Sequence, residues 1–391
     1  MAALLVFLLS ALAIAYTFPG YALHMGLLAR FKTGTPESLP PAPLVPLPEL
    51  TVVLVAYNEA GRIGARVENL LASDYPATHL RVLVVCDGST DGTVDCIPSD
   101  PRVTVIPRPE RSGKPSCLNA GVGAATTEIV VFADARQQFE PAAIRTLVAR
   151  FADPKVGAVS GSLEIAPSSS NTGAGVDIYW RLEKWIRFSE SQVDSAIGCT
   201  GAIYAIRKSL FVPIPPDTIL DDVVIPMQIV SAGYRVLFEP RALAWDPQPL
   251  EPEAERLRKK RTLAGNYQIL FRYPQWLNPQ RNRLWWQLLG HKYLRLSAPV
   301  FLLLALAGNG LLLGHGAFRV VFASQCAFYL LAFSAGLFPR TKLFAIPAGF
   351  VFLNLMTVRA FCYYLVNRKL QQWETPAFSP CVKNSKPVVH V

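Results

Sequence analysis

The sequence predicts an α/β domain on a mainly parallel sheet, preceded by one membrane-spanning helix and followed by about three more. Three observations carry that expectation. Apolar residues crowd both ends of the chain, short β-branched runs alternate with helical stretches between them, and polar residues stand where those runs stop. Over 391 residues, 51% are hydrophobic and 17% charged, which excludes a disordered or fibrous protein and is too apolar for an ordinary soluble enzyme.

The first element is an anchor. Met1 to Ala29 holds no Asp, Glu, Lys or Arg, and a run of roughly 20 apolar residues crosses a bilayer core. A cleaved signal peptide is the rival, but the stretch has no basic start and stays apolar past the usual length of such a segment. Near the other end, Leu296–Leu313, Ala317–Leu337 and Leu343–Val366 are each long enough to span. Breaks at Gly314-His315-Gly316 and Pro339-Arg340-Thr341-Lys342 separate them. The organisation read from this pattern is an anchor at 1–29, a Pro-rich linker at 30–49 and an α/β domain at 50–250. Basic amphipathic interfacial helices at 251–295, spans at 296–366 and a polar tail at 367–391 complete it.

Basic flanks set the orientation. Arg30 and Lys32 follow the first span, and Arg281, Arg283, His291, Lys292 and Arg295 precede the second. Positive residues stay on the cytoplasmic side, so the α/β domain is expected in the cytoplasm of a bacterial cell, against the inner (plasma) membrane. Arg368 and Lys369 follow the last span and conflict with the parity of four crossings, so the tail topology is open. Lys and Arg number 38 against 28 Asp and Glu, a net charge of +10. Arg256, Arg258, Lys259, Lys260 and Arg261 lie next to a span without interleaved stacking aromatics. Such a run suits anionic membrane lipids and makes a poor nucleic-acid site. Seven cysteines without a C-x-x-C pair predict neither a disulfide framework nor a zinc site, and fit a reducing compartment.

In the middle of the chain, Thr51–Ala56 is a β-branched run that stops at Tyr57-Asn58-Glu59, and Arg62 to Ala72 reads as helix. Leu80–Val85 runs into Cys86-Asp87-Gly88-Ser89, Arg102–Ile106 follows, and a helix is expected near Ser116–Ala125. Ile129–Phe132 then ends at Ala133-Asp134. Continuous apolar strands alternating with helices indicate a parallel sheet covered on both faces. In such sheets ligands bind beyond the carboxyl ends of the strands. Asn58, Glu59, Asp87 and Asp134 all fall there.

Each motif there has a bland reading and a chemical one. Asp87-Gly88-Ser89-Thr90-Asp91-Gly92 is either an Asx turn or a carboxylate facing a nucleobase or ribose. Arg111-Ser112-Gly113-Lys114 opens a helix, where a diphosphate is favoured, or is a solvated turn. Asp134-Ala135-Arg136 is a helix cap or places a carboxylate for a divalent cation that bridges phosphate oxygens. Asp221-Asp222 is a helix start or supplies a general base. Gly198-Cys199-Thr200-Gly201 is a close-packed loop or lies against an acceptor sugar. The first three motifs, on successive strands, together describe a nucleotide-diphosphate site.

Taken together, Val55–Glu59, Val85–Gly92, Gly113-Lys114 with Leu118–Gly121, Phe132–Asp134, Thr200–Arg207 and Leu220–Asp222 resemble the family 2 glycosyltransferases. The likeness is to the membrane-embedded branch that includes cellulose, hyaluronan and poly-N-acetylglucosamine synthases. The resemblance implies a GT-A fold, a UDP-sugar donor, a divalent cation (Mg²⁺ or Mn²⁺) and inversion at the anomeric carbon. It implies that Tyr57, Glu59 and Asp87 contact the nucleoside, that Lys114 lies near the uracil or phosphates and that Asp134 is the first metal carboxylate; Ala56, Gly88, Arg136 and Arg261 are further candidates for nucleotide-sugar contact. Asp134, with Gln138 as a further ligand, would hold the metal. Asp222 matches the base, with Asp221 beside it, while Gly201 and Arg258 would face the acceptor.

Two departures stand out. Arg136 occupies the position of the family's second metal aspartate. The Q-x-x-R-W motif of processive synthases reads Arg258-Lys259-Lys260-Arg261-Thr262 here, which keeps the Arg and loses Gln and Trp. The expected activity is inverting transfer of a sugar from a UDP-sugar to a growing glycan or lipid-linked acceptor, in extracellular or cell-wall polysaccharide synthesis. Single-sugar transfer to polyprenyl phosphate or ceramide is the alternative. A transporter with a nucleotide-sensing domain and an inactive scaffold are the rivals from other classes. A partner protein or oligomer is compatible with so few spans.

Overall fold

The computed structural model describes residues 1–33, 46–165, 171–246, 252–335 and 344–366. In chain order it begins with α1 (Ala2–Ala15) and α2 (Tyr21–Thr33). Between them Tyr16–Gly20 form a wider π turn around Pro19, whose ring removes one N–H and crowds the carbonyl four residues back. The α/β segment follows as β1 (Leu50–Ala56), α3 (Ile63–Leu71), β2 (Leu80–Asp87), β3 (Val103–Arg108), α4 (Lys114–Ala124), β4 (Ile129–Asp134), β5 (Gln138–Phe139), α5 (Ala143–Ala149) and β6 (Val156–Ile165). After α6 (Asn171–Val193) come β7 (Ile203–Arg207), α7 (Asp221–Ser231) and β8 (Arg235–Asp246). The chain continues through α8 (Pro252–Arg272), α9 (Trp285–Leu288), α10 (Leu294–Gly310), α11 (Gly316–Ser334) and α12 (Ala345–Val366).

These elements divide into two units. One gathers the described residues of Leu39–Ile165 and Gly198–Pro247; the other gathers those of Met1–Ser38, Ala166–Ile197 and Gln248–Arg368. Residues 166–197, which fall inside the 50–250 interval read from the sequence, therefore group with the flanking helices. The reason is packing, since α6 lies along α2 and also meets α12.

The α/β unit is one eight-stranded sheet in the order β3-β2-β1-β4-β7-β6-β8-β5. Pairs β2–β3, β1–β2, β1–β4 and β6–β8 are parallel; β4–β7, β6–β7 and β5–β8 are antiparallel. Strands β1, β2 and β4 carry unbroken Val, Leu and Ile runs because helices cover both faces, and nearly every residue in them is buried. One apolar core joins Leu54, Val84 and Val131 of these strands to Ile63, Val67 and Leu70 of α3 and Ile144 and Leu147 of α5. Register fixes the site: Ala56 stands opposite Cys86, and Val55 opposite Asp134. The carboxyl ends of β1, β2 and β4 therefore finish side by side.

At the far side of this sheet Glu239 is fully buried between two arginines. Arg150 Nε donates to its Oε2 at 2.6 Å, and Arg241 Nε donates to Oε1 at 2.9 Å. Burial opposes ionisation of Glu239, but Arg241 and Arg150 more than offset it and hold the carboxyl below its usual range. Glu239→Gln is expected to cost on the order of 3 kcal/mol, because it leaves the arginines without their shared anion. A depressed carboxyl stabilises the fold above its unfolded pKa and loses that effect as pH falls. Thermal unfolding in detergent should show a lower Tm at neutral pH and a gap to wild type that narrows in acid. Equal Tm values at neutral pH would refute the assignment.

In the helical unit, Ala2–Lys32, Trp285–Gly310, Gly316–Ser334 and Ile346–Val366 are long and apolar enough to cross a membrane. The protein is a membrane protein. Helices α1 and α10, α2 and α6, and α8 and α12 pack as pairs. The break expected at 314–316 separates α10 from α11, whereas the second break, the polar tail and Pro36–Pro43 of the linker lie outside the described residues. The second span starts at Trp285 rather than at Leu296, because a π turn at Leu289–Tyr293 joins α9 continuously to α10. All six described cysteines are free.

Candidate active site

Asp87 closes β2 and organises the loop in front of α4. Its Oδ1 accepts from the Ser112 N–H at 2.6 Å and from Ser112 Oγ at 3.0 Å, and Oδ2 accepts from the Gly113 N–H at 2.9 Å. With 3% of the residue exposed, Asp87 acts here as the clamp of the 111–114 loop. Gly88 follows at φ +65°, and a Cβ there would stand 2.5 Å from the Arg111 nitrogen. This close approach requires glycine. Beside it the Arg111 guanidinium lies 3.9 Å over the Tyr57 ring.

The loop after β1 is held to the loop after β2. Asn58 adopts φ 53°, a region Asn tolerates through local hydrogen bonds. Its N–H donates to Ser89 Oγ at 3.1 Å, and its Oδ1 accepts from the Thr90 N–H at 2.9 Å. The Glu59 N–H donates to Thr93 Oγ1, and the Ala60 N–H donates to Asp91 Oδ2. Burial raises the carboxyl pKa of Glu59, partly offset by Arg62 at 2.8 Å. The D-G-S-T-D-G segment is thus largely a frame that presents Tyr57 and Glu59.

Lys114, the first residue of α4, is the hub. Its Nζ donates to Asp134 Oδ1 at 2.8 Å and stands 3.7 Å from Asp221 Oδ2. Asp221 and Asp222 begin α7, where the helix dipole favours negative charge. Pro226 has no N–H to donate to the Asp222 carbonyl four residues back, and the Cys199 N–H donates to that carbonyl instead, at 2.7 Å. The 198–201 loop is thereby fastened to the start of α7. A Cβ on Gly201 would lie 3.1 Å from Asp222 Oδ2, so Gly201 lets the loop approach the carboxylate.

The structure therefore brings Ala56, Tyr57, Glu59, Asp87, Gly88 and Asp134 to adjoining strand ends, sets Lys114 against Asp134 and Asp221, and sets Gly201 against Asp222. Arg136 has a different partner. Its Nη2 donates to Asp246 Oδ2, which also accepts from Gln137 Nε2 at 3.0 Å. Asp246 is 3% exposed, and a carboxylate so buried needs a counter-charge. Arg136→Asp, the substitution that restores a family-like second aspartate, is expected to lower stability by about 3–5 kcal/mol by placing a second anion there. A Tm equal to wild type would show that Asp246 does not depend on this arginine.

Gln138 has an exposed side chain on the edge strand β5, paired in register with Trp245. Arg258 and Arg261 belong to α8 of the helical unit, with Arg258 5.2 Å from the Trp180 ring. Among the described residues no group of three or more His, Cys, Asp or Glu side chains converges as a metal site. Sequence reasoning missed Asp246 and Tyr204. The buried Tyr204 ring stacks on Phe132 at 4.5 Å, and its hydroxyl has no hydrogen-bond partner among the described residues. Burial, then Asp221, Cys199 and Asp222, push its pKa far up, so it stays a neutral phenol. Tyr204 sits in a continuously buried strand, Ile203–Arg207, where nothing local distinguishes it from a core residue.

Residues 51–211 match the model described as Glycosyl transferase family 2. Over these residues the chain is similar to the family 2 glycosyltransferases. Two curated proteins and one solved structure are similar to this chain. Poly-beta-1,6-N-acetyl-D-glucosamine synthase from Staphylococcus aureus (strain MSSA476) is 28% identical over 231 residues, covering 57% of this chain and 56% of that protein. The Staphylococcus epidermidis synthase is 25% identical over the same length. The chain thus spans just over half the length of these curated relatives. Among solved structures, the mannosyltransferase PcManGT from Pyrobaculum calidifontis, in complex with GDP-Man and Mn²⁺, superposes with a TM-score of 0.71. At 24% identity it covers 92% of this chain and 99% of its own. The α/β unit has the GT-A fold.

Proposed function

We propose that the protein is a membrane glycosyltransferase that moves a sugar from a nucleotide-diphosphate donor, with inversion at the anomeric carbon. The observation that carries the proposal is the Lys114 hub, which holds Asp134 at the end of β4 and Asp221 at the start of α7 around one ammonium. Asp222 takes the proton from the acceptor hydroxyl as its oxygen attacks the anomeric carbon. The bond from that carbon to the diphosphate oxygen breaks, and the nucleoside diphosphate leaves. The Lys114 ammonium receives the growing negative charge. Tyr57, Glu59 and Arg111 flank the nucleoside, while Gly201 leaves room for the acceptor.

Asp134, its side chain 37% exposed, would hold a divalent cation through the carboxylate oxygen that is not bonded to Lys114. A Mg²⁺ or Mn²⁺ ion there would offset charge on the departing diphosphate, with phosphate and water oxygens completing its ligands. The curated relatives are named as synthases of an N-acetylglucosamine polymer, which supports a role in extracellular or cell-wall polysaccharide synthesis, and the motif resemblance adds a UDP-sugar as donor. The orientation of the basic flanks favours a cytoplasmic domain at a bacterial inner membrane. Thr262, in place of the aromatic of the processive motif, favours a second reading in which one sugar passes to a lipid acceptor.

The test is nucleoside-diphosphate release by the purified protein in detergent, over a panel of UDP- and GDP-sugars with Mg²⁺, Mn²⁺ or EDTA. Release from one donor, lost in EDTA, is expected. No release from any donor in the presence of membrane lipid extract would sink the proposal.

A further inference from the structure

The transfer chemistry leaves one buried cation unused. Arg66 belongs to α3, on the face that carries Ile63, Val67 and Leu70 into the core, and it is 2% exposed. A guanidinium so deeply buried normally faces a carboxylate side chain. Among the described residues Arg66 hydrogen-bonds to none. Its Nε donates to the backbone carbonyl of Asp134 at 2.9 Å, Nη1 donates to Asn69 Oδ1 at 2.6 Å, and Nη2 is without a hydrogen-bond partner. Burial lowers its pKa to about 9, and the charge of Asp134 partly offsets this.

Asn69, one turn further along α3, completes the arrangement. Its Nδ2 donates to the Phe139 carbonyl at 3.0 Å, and its Oδ1 accepts from the Phe139 N–H at 2.9 Å. One side-chain amide thus satisfies both backbone groups of Phe139, while the Arg66 guanidinium lies 4.2 Å over the Phe139 ring. Arg66 and Asn69 therefore hold the two ends of residues 134–139, the segment that leaves β4 and forms β5. Between those ends Arg136 and Gln137 are fastened to Asp246.

An apolar side chain would fill this space at lower cost to the fold, because a buried charge gives up its hydration and finds no ion pair in return. What Arg66 does that no apolar residue can do is act on Asp134. It grips the peptide group of the residue whose carboxylate meets Lys114 at 2.8 Å, and it sets a fixed positive charge behind that carboxylate. We infer that Arg66 is a positioning residue for sugar transfer that acts through Asp134, on the role proposed above for that acid. Lys114 serves the departing diphosphate as well as Asp134, so a bound donor draws the ammonium toward phosphate. Arg66, locked by Asn69 and Phe139, keeps Asp134 in place as that happens. The planar guanidinium is needed because it donates along Nε and Nη1 at once and lies flat on the ring; lysine keeps the charge and loses the fork.

The test is a double-substitution cycle on the full chain in detergent, read as affinity for UDP and for GDP in Mn²⁺ by titration calorimetry. Arg66→Lys is expected to weaken binding of the preferred nucleotide about tenfold, the lower end of the cost of disturbing a group that orients a metal-holding side chain. In the Asp134→Ala background the same substitution should cost less than about twofold, because the group it acts through is gone. Equal losses in the two backgrounds, or no loss in the wild-type background, would overturn the assignment. Glu239→Gln separates positioning from stability: it should lower Tm and leave nucleotide affinity unchanged, and a loss of affinity as large as that of Arg66→Lys would also overturn it. If Arg66→Lys does not fold, Arg66→Gln, which leaves no charge to bury, is read in the same cycle. A wild-type protein that binds neither nucleotide, or an Asp134→Ala variant that binds as tightly as wild type, would instead remove the proposed role of Asp134, and that of Arg66 with it.

Discussion

Asp222→Asn is expected to lower sugar transfer by about 10²–10⁴-fold, the usual worth of a positioned general base. The substitution keeps size and shape, and the contact from the Cys199 N–H is to the backbone carbonyl rather than the side chain. Nucleotide affinity, measured by titration calorimetry, should therefore stay close to wild type while turnover collapses. Asp221 serves as the internal contrast. It is 5% exposed and 3.7 Å from Lys114, so Asp221→Asn should disturb donor binding as well as rate. If Asp222→Asn turns over normally, the base lies elsewhere.

Asp134→Ala is the second large effect. It removes the group that holds Lys114 at 2.8 Å and the oxygen donor for a cation, so kcat/KM for the donor should fall by about 10²–10³-fold. The informative readout is the metal response. Wild-type nucleotide affinity should rise on adding Mn²⁺, and the variant should show no such rise. A variant that still responds to Mn²⁺ would place the cation on other oxygens.

Much of the fold was legible because β1, β2 and β4 advertise themselves. Each is a continuous apolar run ending in Asn, Glu or Asp, which is how a strand buried on both faces and open at its carboxyl end must read. The antiparallel insertion of β7 between β4 and β6 was not legible, since strand order depends on long-range pairing that no local pattern encodes. The helix α6 was missed for a related reason. Its amphipathic sequence suits either unit, and only packing against α2 assigns it. Within the site, the acids at strand ends were visible as types, but their partners were not. Asp87 spends both oxygens on Ser112 and Gly113. Arg136 answers Asp246, which follows it by 110 residues. The sequence shows a charge; the fold decides what it faces.

Pro226 has a consequence for how the site can change shape. The carbonyl it releases is the anchor point for Cys199, so the strand-side loop and the first turn of α7 are tethered through one backbone link. A shift of that turn would carry Gly201 with it, keeping the spacing between proton acceptor and glycine constant. Alanine at 226 would offer its own amide to the Asp222 carbonyl, in competition with Cys199. The helix would then gain regularity, and the two halves of the cleft would become independent moving parts. An imino acid inside a helix is ordinarily a defect; here it is the hinge pin that keeps two jaws in register.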